Sequence, residues 1–302
     1  MVWLLRNIFL QSLKITIVTV CLNAENTIKK CIQSVVDQDY SSIEYIVIDG
    51  ASTDNTCRII RQMNRADIFL SEADAGLYDA MNKAIAKASG DFILFLNADD
   101  YLVNANAISQ ALTLMKLEEA DIYYGNLEVR NGAQGMSIHK PWNEGSLIAA
   151  LCIYCLPHQA MFSRTSLFDA IGGFSTKFKV LSDYDWYLRA FESGARFKYM
   201  DVLISSFSFD GISSDPIKRL SEFYLIQNSS ALFKAGDYDI ARFESSLHRV
   251  KELESEIHSM SRAPETLLSN PEIGTLPLSL SVLGLQKKIQ SLEAYKYKIL
   301  GS

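Results

Sequence analysis

The sequence predicts an α/β protein in which a mostly parallel central sheet is flanked by helices. Strand-like and helix-like segments alternate over residues 15–96, which is the pattern of a parallel sheet built from strand–helix–strand units. Residues 92–96 are five large apolar residues in a row, as in strands that are covered on both faces. Asn97, Asp99 and Asp100 follow this run, and ligands of open α/β sheets bind where the strands end.

Four strands and three helices are predicted in the first third of the chain. The strand segments are rich in β-branched or large apolar residues, and the helical segments place apolar residues on one face. Gly76 precedes the third helix, and we expect Gly90 to end it. The predicted strands are 15–20, 45–48, 68–70 and 92–96, and the predicted helices are 27–37, 55–63 and 77–88.

Polar side chains follow each of these four strands. Right-handed crossovers bring the carboxyl ends of parallel strands to one edge, so we expect these side chains to meet there. Any single cluster could be a turn or a helix cap, and Asp54 is a good cap candidate. Capping gives no reason for four clusters at one edge, whereas a bound metal ion and nucleotide do. The residues are Asn23 and Glu25, Asp49 and Asp54, Asp74, and Asp99 with Asp100.

The rest of the chain mixes strands and helices and then becomes helical. Helices are predicted at 107–117, 145–151 and 183–193, and strands at 122–129, 159–162 and, as one or two strands, 197–209. From Pro216 onward the chain is polar, with long helices expected at 242–260 and 285–300. We therefore divide the chain into an amphipathic N-terminal segment 1–13, a catalytic-type α/β domain 14–215 and a helical C-terminal extension 216–302.

Composition excludes several classes of protein. The chain has 302 residues, of which 48% are hydrophobic and 21% charged, as in soluble globular proteins. A formal charge of −6 argues against nucleic acid as a partner. The odd number of cysteines, five, does not make a disulfide framework, so a reducing, cytoplasmic setting is expected. Cys152 and Cys155 lack a second pair for zinc, and buried thiols are favoured over a redox pair.

The N-terminal segment 1–13 is apolar, with Arg6 as its single charged residue. It is shorter than the roughly 20 residues that a transmembrane helix needs. Positions 5, 9 and 13 share one helical face, so the segment could lie in a membrane interface, at the inner face of the membrane. Packing on the protein's own body, or on a second copy in a homo-oligomer, stays equally open.

Five motifs in order resemble the family-two glycosyltransferases, the nucleotide-sugar-dependent enzymes of GT-A fold that include bacterial surface-glycan enzymes. The resemblance identifies residues 14–215 as a GT-A domain that binds a nucleotide-sugar donor and a divalent metal, Mn²⁺ or Mg²⁺. The motifs are residues 19–38, 47–56, 72–83, 90–100 and 182–189.

The resemblance also implies a role for individual residues. Asp49 would hydrogen-bond the nucleotide base, and Asp99, with Asp100 beside it, would ligate the metal that bridges the diphosphate. Asn97 stands where the family often has a carboxylate, and its amide can contact the ribose. Leu22 replaces an aromatic residue, so base stacking is expected to be weak. The donor-binding residues implied are Val20, Leu22, Asn23, Glu25, Asp49, Asp54, Asp74, Gly76, Tyr78, Asn82, Lys83, Asn97, Ala98, Asp99 and His158.

Asp183 matches the catalytic base of the family. Displacement of a nucleoside diphosphate from an anomeric carbon needs a carboxylate that takes the proton of the acceptor hydroxyl. A single base on the far face of the sugar implies one displacement with inversion. Asp183 is preferred to Asp185, which we expect to pair with Arg189 at i+4.

Three further features keep two interpretations each. His158 precedes a predicted strand and either contributes to the donor or acceptor site or is structural. Tyr78, on the helix that faces the donor pocket in the family, could equally belong to the core. Residues 205–214 could form a loop that closes over the diphosphate or an ordinary turn.

The sequence therefore predicts an inverting, metal-dependent glycosyltransferase that moves a sugar from a nucleotide-sugar donor to a glycan or lipid-linked acceptor in surface polysaccharide synthesis. One alternative is a metal-dependent nucleotidyltransferase, but residues 21–26 contain neither the glycine nor the arginine that its phosphate loop would need. A second alternative is a non-catalytic, glycosyltransferase-like scaffold whose helical tail recruits partners.

Overall fold

A computed structural model describes residues 13–130, 135–141, 155–208 and 216–234, together with Leu147 and Leu151. The chain divides into two compact units, residues 1–235 and 236–302, and the second lies outside the described residues. The described unit contains one nine-stranded sheet with helices packed against it, so the predicted α/β class is confirmed. Within the described ranges, no helix is both long and apolar enough to cross a bilayer.

The first half of the sheet is parallel, in the order β3-β2-β1-β4. Cys21 pairs with Asp49, and Asp49 pairs with Ser71, so three of these strands end side by side. The polar residues that follow them reach one edge, as predicted. The elements are β1 Ile15–Cys21, α1 Ile28–Val36, β2 Ile43–Asp49, α2 Thr56–Met63, β3 Ile68–Ser71, α3 Leu77–Ile85 and β4 Phe92–Phe95.

The second half extends this sheet from β4 in the order β8-β6-β9-β5, and β7 pairs with β6. Strand β8 is antiparallel to both β4 and β6, whereas β6 and β9 are parallel. The elements are β5 Tyr101–Leu102, α4 Ala107–Met115, β6 Ile122–Arg130, β7 Met136–His139, a 3₁₀ turn His158–Ala160, β8 Met161–Arg164, α5 Thr165–Ile171, α6 Ser182–Glu192, β9 Phe197–Ser208, α7 Pro216–Ser229 and α8 Ala231–Lys234.

The structure changes some predicted boundaries. The strand predicted at 159–162 begins at Met161, because His158–Ala160 forms the 3₁₀ turn. Residues 205–208 belong to β9 and not to a loop. Several predictions lie outside the described residues, namely the segment 1–12, Cys152, the remainder of the loop to residue 214, most of the helix at 145–151, and the helices at 242–260 and 285–300.

An aromatic cluster fixes α6 against the sheet. Trp186 is fully buried, its ring stacks on Phe168 with 4.3 Å between centroids, and its indole Nε1–H donates to the Gly172 carbonyl at 2.8 Å. Phe174 packs on Trp186 and also on Phe95 at the end of β4, with centroids 5.2 Å apart. Buried aromatic pairs of this kind contribute about 0.5–1.5 kcal/mol each beyond the area they bury. The start of α6 is therefore held beside the end of β4.

Candidate active site

The loops that follow β1 and β2 bind each other through the predicted polar residues. Asn23 accepts from the Thr53 backbone N–H through its side-chain Oδ1 at 2.9 Å. Glu25 accepts from Asn55 with one carboxylate oxygen, at 3.0 Å from the backbone nitrogen and 2.7 Å from Nδ2. Asp54 in turn accepts from the Glu25 backbone N–H at 3.1 Å. These contacts hold the two loops together at the edge of the sheet where a nucleotide-sugar donor would lie.

Asp49 ends β2 and is fully buried, and both of its carboxylate oxygens are occupied. It accepts from Ser52 N at 3.0 Å, from Ser71 Oγ at 2.7 Å and from the Cys57 thiol at 3.0 Å. A weaker bond comes from the Cys21 thiol at 3.6 Å. Burial acts to raise the pKa of Asp49, but the hydrogen bonds from Cys57, Ser52 and Ser71 outweigh it and lower the pKa. This carboxylate is therefore ionised and organises the loop.

A rim of small and apolar residues lies beside this loop. A Cβ on Gly50 would stand only 2.6 Å from Asp74 Oδ2, so a larger residue there would displace the Asp74 carboxylate. Leu22 is 60% exposed next to it, whereas Val20 is buried inside β1. Gly76 has φ +121°, a conformation that favours glycine, and its N–H donates to Asp74 Oδ1 at 2.9 Å.

Two predicted donor residues on α3 make structural contacts. The Asn82 amide makes two hydrogen bonds with the backbone of Phe174. Its Nδ2 donates to the Phe174 carbonyl at 2.8 Å, and its Oδ1 accepts from the Phe174 N–H at 2.8 Å. The Lys83 ammonium pairs with Glu72 at 2.9 Å and with Asp79 at 3.7 Å. Hydrogen bonding to Glu72 raises the pKa of Lys83. Both side chains hold α3 in place through these contacts. A contact of either side chain with the nucleotide-sugar donor stays a prediction.

The turn after β4 carries the predicted metal ligands. Asn97 and Asp99 are half-buried, and Ala98 and Asp100 are buried. Asp100 accepts from the backbone N–H of Ser208 at 3.1 Å through Oδ1. Within the part of the chain that the structure describes, Asn97 Oδ1 and Asp100 Oδ2 are buried oxygens with no hydrogen-bond donor. Two such oxygens at one turn need a partner, because an unsatisfied buried polar atom is costly.

These residues fit a hard divalent cation. Burial and the neighbouring charge of Asp99 raise the pKa of Asp100 to about 7, and a cation beside it would favour its charged form. No group of three His, Cys, Asp or Glu side chains suited to a metal occurs among the described residues. Mg²⁺ and Mn²⁺ keep several positions for water and substrate phosphate, so Asp99, Asp100 and Asn97 could hold such an ion together with a bound diphosphate.

Asp183 lies in the first turn of α6 and is 6% exposed. One oxygen accepts from Tyr184 N at 2.9 Å and lies 3.0 Å from the Tyr78 hydroxyl. The other lies 2.9 Å from His158 Nδ1. Burial, and then the Asp183 charge, raise the pKa of Tyr78 well above its ordinary value, so its hydroxyl is a donor that Asp183 and the Val180 carbonyl share. The carboxylate is thus oriented by a histidine, a tyrosine and the helix end.

His158 joins the base to the metal turn. Its Nε2 lies 3.3 Å from Asn97 Nδ2, which is a donor, and its Nδ1 faces Asp183, which as a carboxylate only accepts. In this arrangement His158 Nδ1–H donates to Asp183 and Nε2 accepts from Asn97 Nδ2. Asp185 points elsewhere and pairs with Arg189 at 3.0 Å, as predicted. The tertiary structure therefore brings Asn97, His158 and Asp183 into one chain of contacts.

Arg130 is a residue of this region that the sequence did not indicate. Its Nη2 donates to the Asp99 carbonyl at 2.6 Å and its Nε donates to Ser206 Oγ at 2.9 Å. Its guanidinium also lies 4.7 Å from the centre of the Tyr101 ring. Arg130 ends β6, and its approach to Asp99 depends on the pairing of β6 with β9. No local pattern could have identified it.

Comparisons with known proteins show the family of the chain. Glycosyl transferase family 2 matches residues 16–184. The PGL/p-HBAD biosynthesis glycosyltransferase of Mycobacterium tuberculosis is 31% identical over 212 residues, which cover 68% of this chain and 80% of that protein.

Solved structures share the fold. S. aureus TarS 1-349 in complex with UDP-GlcNAc has a TM-score of 0.61 at 20% identity, over 86% of this chain and 77% of that one. Another TarS crystal structure has a TM-score of 0.60, and the match covers 46% of its chain. The mannosyltransferase PcManGT from Pyrobaculum calidifontis, in complex with GDP-Man and Mn²⁺, has a TM-score of 0.56 at 15% identity, over 94% and 83% of the two chains. The fold is GT-A, and the chain belongs to glycosyl transferase family 2.

Proposed function

We propose that this glycosyltransferase is a metal-dependent, inverting enzyme in which Asp183 is the general base. The observation that carries the proposal is the contact chain Asp183–His158–Asn97, which connects a buried carboxylate to the turn of Asp99 and Asp100. A base and a metal turn joined in this way suit a reaction in which an acceptor is deprotonated on one side of a sugar while a diphosphate leaves on the other.

The proposed step is a single displacement at the anomeric carbon of the donor. The acceptor oxygen forms a bond to that carbon, the bond from carbon to the phosphate oxygen breaks, and its electron pair leaves with the nucleoside diphosphate. Asp183 takes the acceptor proton. His158 and Tyr78 hold the carboxylate by hydrogen bonds, so it presents a defined oxygen to the acceptor. One displacement inverts the anomeric configuration.

Asp99 and Asp100, with Asn97, would hold Mg²⁺ or Mn²⁺. Such an ion, when bound, offsets the negative charge that develops on the leaving diphosphate. Arg130 supports the turn by its bond to the Asp99 carbonyl, and Ser208 supports it by its bond to Asp100. These protein contacts hold the turn in shape after one nucleotide-sugar donor has left and before the next one binds.

The relatives support the proposed partners. TarS is described with UDP-GlcNAc and the Pyrobaculum enzyme with GDP-Man and Mn²⁺, which supports a nucleotide-sugar donor here. The mycobacterial relative is a PGL/p-HBAD biosynthesis enzyme, which supports a glycan or lipid-linked acceptor in surface polysaccharide synthesis. Work on such an acceptor fits a cytoplasmic protein at the inner face of the membrane, which segment 1–13 would contact.

The test is nucleotide release from a panel of UDP- and GDP-sugars with Mn²⁺ or Mg²⁺. Asp183→Asn removes the base without changing its shape, so we expect kcat to fall about 10²–10⁴-fold while nucleotide affinity is kept. Asp99→Ala should lower kcat about 100-fold and weaken metal-dependent nucleotide binding. EDTA should stop turnover and added metal should restore it.

Asp185→Asn is the matched control, because Asp185 lies two positions further along the same helix and pairs with Arg189. Its kcat should stay within about twofold of the parent value. Full turnover by Asp183→Asn would contradict the assigned base. A parent chain that neither binds nor turns over any donor would favour the non-catalytic scaffold. Release of sugar 1-phosphate in place of a nucleoside diphosphate would favour a nucleotidyltransferase.

A further inference from the structure

A buried carboxylate on α7 binds the backbone that leads into α6. Glu222 is 8% exposed and accepts three backbone N–H groups, from Lys179 at 2.7 Å, Val180 at 2.8 Å and Leu181 at 2.9 Å. Leu181 is the N-cap residue of α6, and its side chain makes no capping hydrogen bond. Asp183 follows two residues later, so Glu222 satisfies donors directly before the proposed base.

Three N–H groups on one carboxylate make a rigid attachment. The N–H of Leu181, at the N-cap, has no partner within the helix, and a carboxylate accepts shorter and stronger hydrogen bonds than a neutral group does. A carboxylate near the positive end of the α6 dipole is also favoured electrostatically. Glu222 therefore holds the backbone at the residue where α6 begins, two residues before Asp183.

The same segment contacts the helix on the donor side. The Tyr78 hydroxyl, which lies 3.0 Å from Asp183, is 2.7 Å from the Val180 carbonyl. Lys179 Nζ donates to the Ala75 carbonyl at 3.1 Å, in the turn before α3. Residues 179–181 thus lie between the start of α3 and the proposed base. A shift of this segment would alter both sides of the site together.

Helix α7 is fixed in this place by packing. The Phe223 ring stacks on the ring of Tyr184 with centroids 4.5 Å apart and planes 10° apart. Gln227 Nε2 donates to the Tyr184 hydroxyl at 3.0 Å. Tyr184 is the residue directly after Asp183, so α7 contacts the first turn of α6 through side-chain packing as well as through the backbone bonds of Glu222.

We propose that Glu222 is a positioning residue for Asp183, and that α7 is consequently part of the catalytic unit. This inference rests on the proposed role of Asp183 as the base. Glu222 acts through the backbone of residues 179–181 and does not touch the substrate. Its loss leaves the chemical groups of the site in place but displaces the base from the geometry of attack, where an error of about 1 Å can cost 100-fold in rate.

Glu192 provides a control, because it attaches the opposite end of α6 to the residues that follow α7. Its carboxylate accepts from the Leu232 backbone N–H at 3.1 Å and from the Ser230 hydroxyl. Glu192 and Glu222 therefore both join α6 to the segment 216–234, one far from Asp183 and one beside it. A purely structural role would make the effect of each substitution on kcat follow its effect on Tm.

The experiment compares full-length E222Q, E192Q and parent chains. Nucleotide release from UDP- and GDP-sugars gives kcat and donor KM, calorimetry gives nucleotide affinity, and thermal unfolding gives Tm. We expect E222Q to lower kcat about 10- to 100-fold, with KM and nucleotide affinity within about twofold of the parent. E192Q should keep kcat within about twofold of the parent value, even if its Tm falls as much as that of E222Q. If E222Q does not fold, E222D, which keeps the charge on a chain one methylene shorter, should show the same kcat loss.

The outcomes separate this inference from the proposed function. An active parent in which E222Q or E222D retains the kcat of E192Q overturns the positioning role alone. The positioning role is also overturned if the kcat loss of both glutamate variants simply tracks the loss in Tm. A parent that turns over no donor, with Mn²⁺ or Mg²⁺ present, overturns the proposed function and this inference with it.

Discussion

Two carboxylates, Asp49 and Glu44, lie at opposite edges of the sheet and accept hydrogen bonds from different kinds of donor. Asp49, at the carboxyl edge, accepts from hydroxyl and thiol groups of its own loop and of the neighbouring elements. Glu44, at the amino edge of β2, accepts from Thr16 Oγ1 at 2.7 Å, Ser89 N at 2.8 Å and Lys14 Nζ at 2.9 Å. Burial acts to raise the pKa of Glu44, but the bonds from Ser89 and Lys14 outweigh it and lower the pKa to about 2.

Glu44 should therefore make stability depend on pH. Its folded pKa of about 2 lies below the unfolded value of roughly 4.3, so its stabilisation is full above about pH 5 and is lost as pH falls toward 2. We expect Glu44→Gln to lower the free energy of unfolding by roughly 1–3 kcal/mol at pH 7, with a smaller difference at pH 3. Urea unfolding at both pH values measures this. Glu119→Gln, with a side chain 68% exposed, should change stability by less than about 0.5 kcal/mol at either pH.

At the scale of elements, the turn between α3 and β4 is held against β1. Gly90 was expected to end the helix, but α3 ends at Ile85. The structure gives this glycine another reason, because a Cβ at Gly90 would stand 2.6 Å from Thr16 Oγ1, 2.7 Å from Thr16 N and 2.8 Å from the Lys14 carbonyl. Two of these atoms belong to the backbone where β1 begins, so they cannot move without shifting the strand. The glycine allows close approach and does not serve as a cap.

Gly90→Ala should therefore lower the free energy of unfolding more than the same substitution at a glycine that has open space around it. We expect a loss of about 2–3 kcal/mol in the free energy of unfolding, because the added methyl group overlaps backbone. Gly194→Ala is the control, since Gly194 has φ +84° and no atom within 4 Å of an added Cβ. It should cost about 1 kcal/mol, from the left-handed conformation alone. Urea unfolding measures both variants. Equal losses in the free energy of unfolding would show that overlap with the backbone of β1 adds nothing to the loss at Gly90.

At the scale of the whole molecule, the compact unit that holds the site continues beyond the predicted domain end at residue 215. The unit runs to residue 235, and Phe223, Ile226 and Phe233 of α7 and α8 are buried in it. Glu222 and Glu192 add hydrogen bonds between these helices and both ends of α6. The described part of the segment 216–302 thus packs with the α/β body, while the assignment of residues 14–215 as a domain stays a prediction.

Truncation tests this boundary. A chain that ends at residue 235 should keep its nucleotide affinity and a Tm within a few degrees of the parent. A chain that ends at residue 215 loses the three buried apolar side chains Phe223, Ile226 and Phe233, each worth about 3 kcal/mol. Its Tm should therefore fall by roughly 18–36 °C, or it should fail to fold. Thermal unfolding and nucleotide calorimetry measure both. Equal Tm values for the two truncated chains would place the end of the unit before α7.

The sequence by itself determined the α/β class, the succession of the first four strands along the chain and the edge at which Asn23, Asp49, Asp74 and Asp99 gather. These follow from local patterns and from the handedness of crossovers, which are properties of short segments. Only the tertiary structure decided that His158 connects Asp183 to Asn97. It also brought Arg130 to the Asp99 carbonyl and Glu222 to the backbone before Asp183. Such contacts join residues far apart in the chain, and they arise from strand pairing and helix packing, which no short stretch of sequence encodes. Gly90 illustrates the same limit, since its neighbours lie more than seventy positions away.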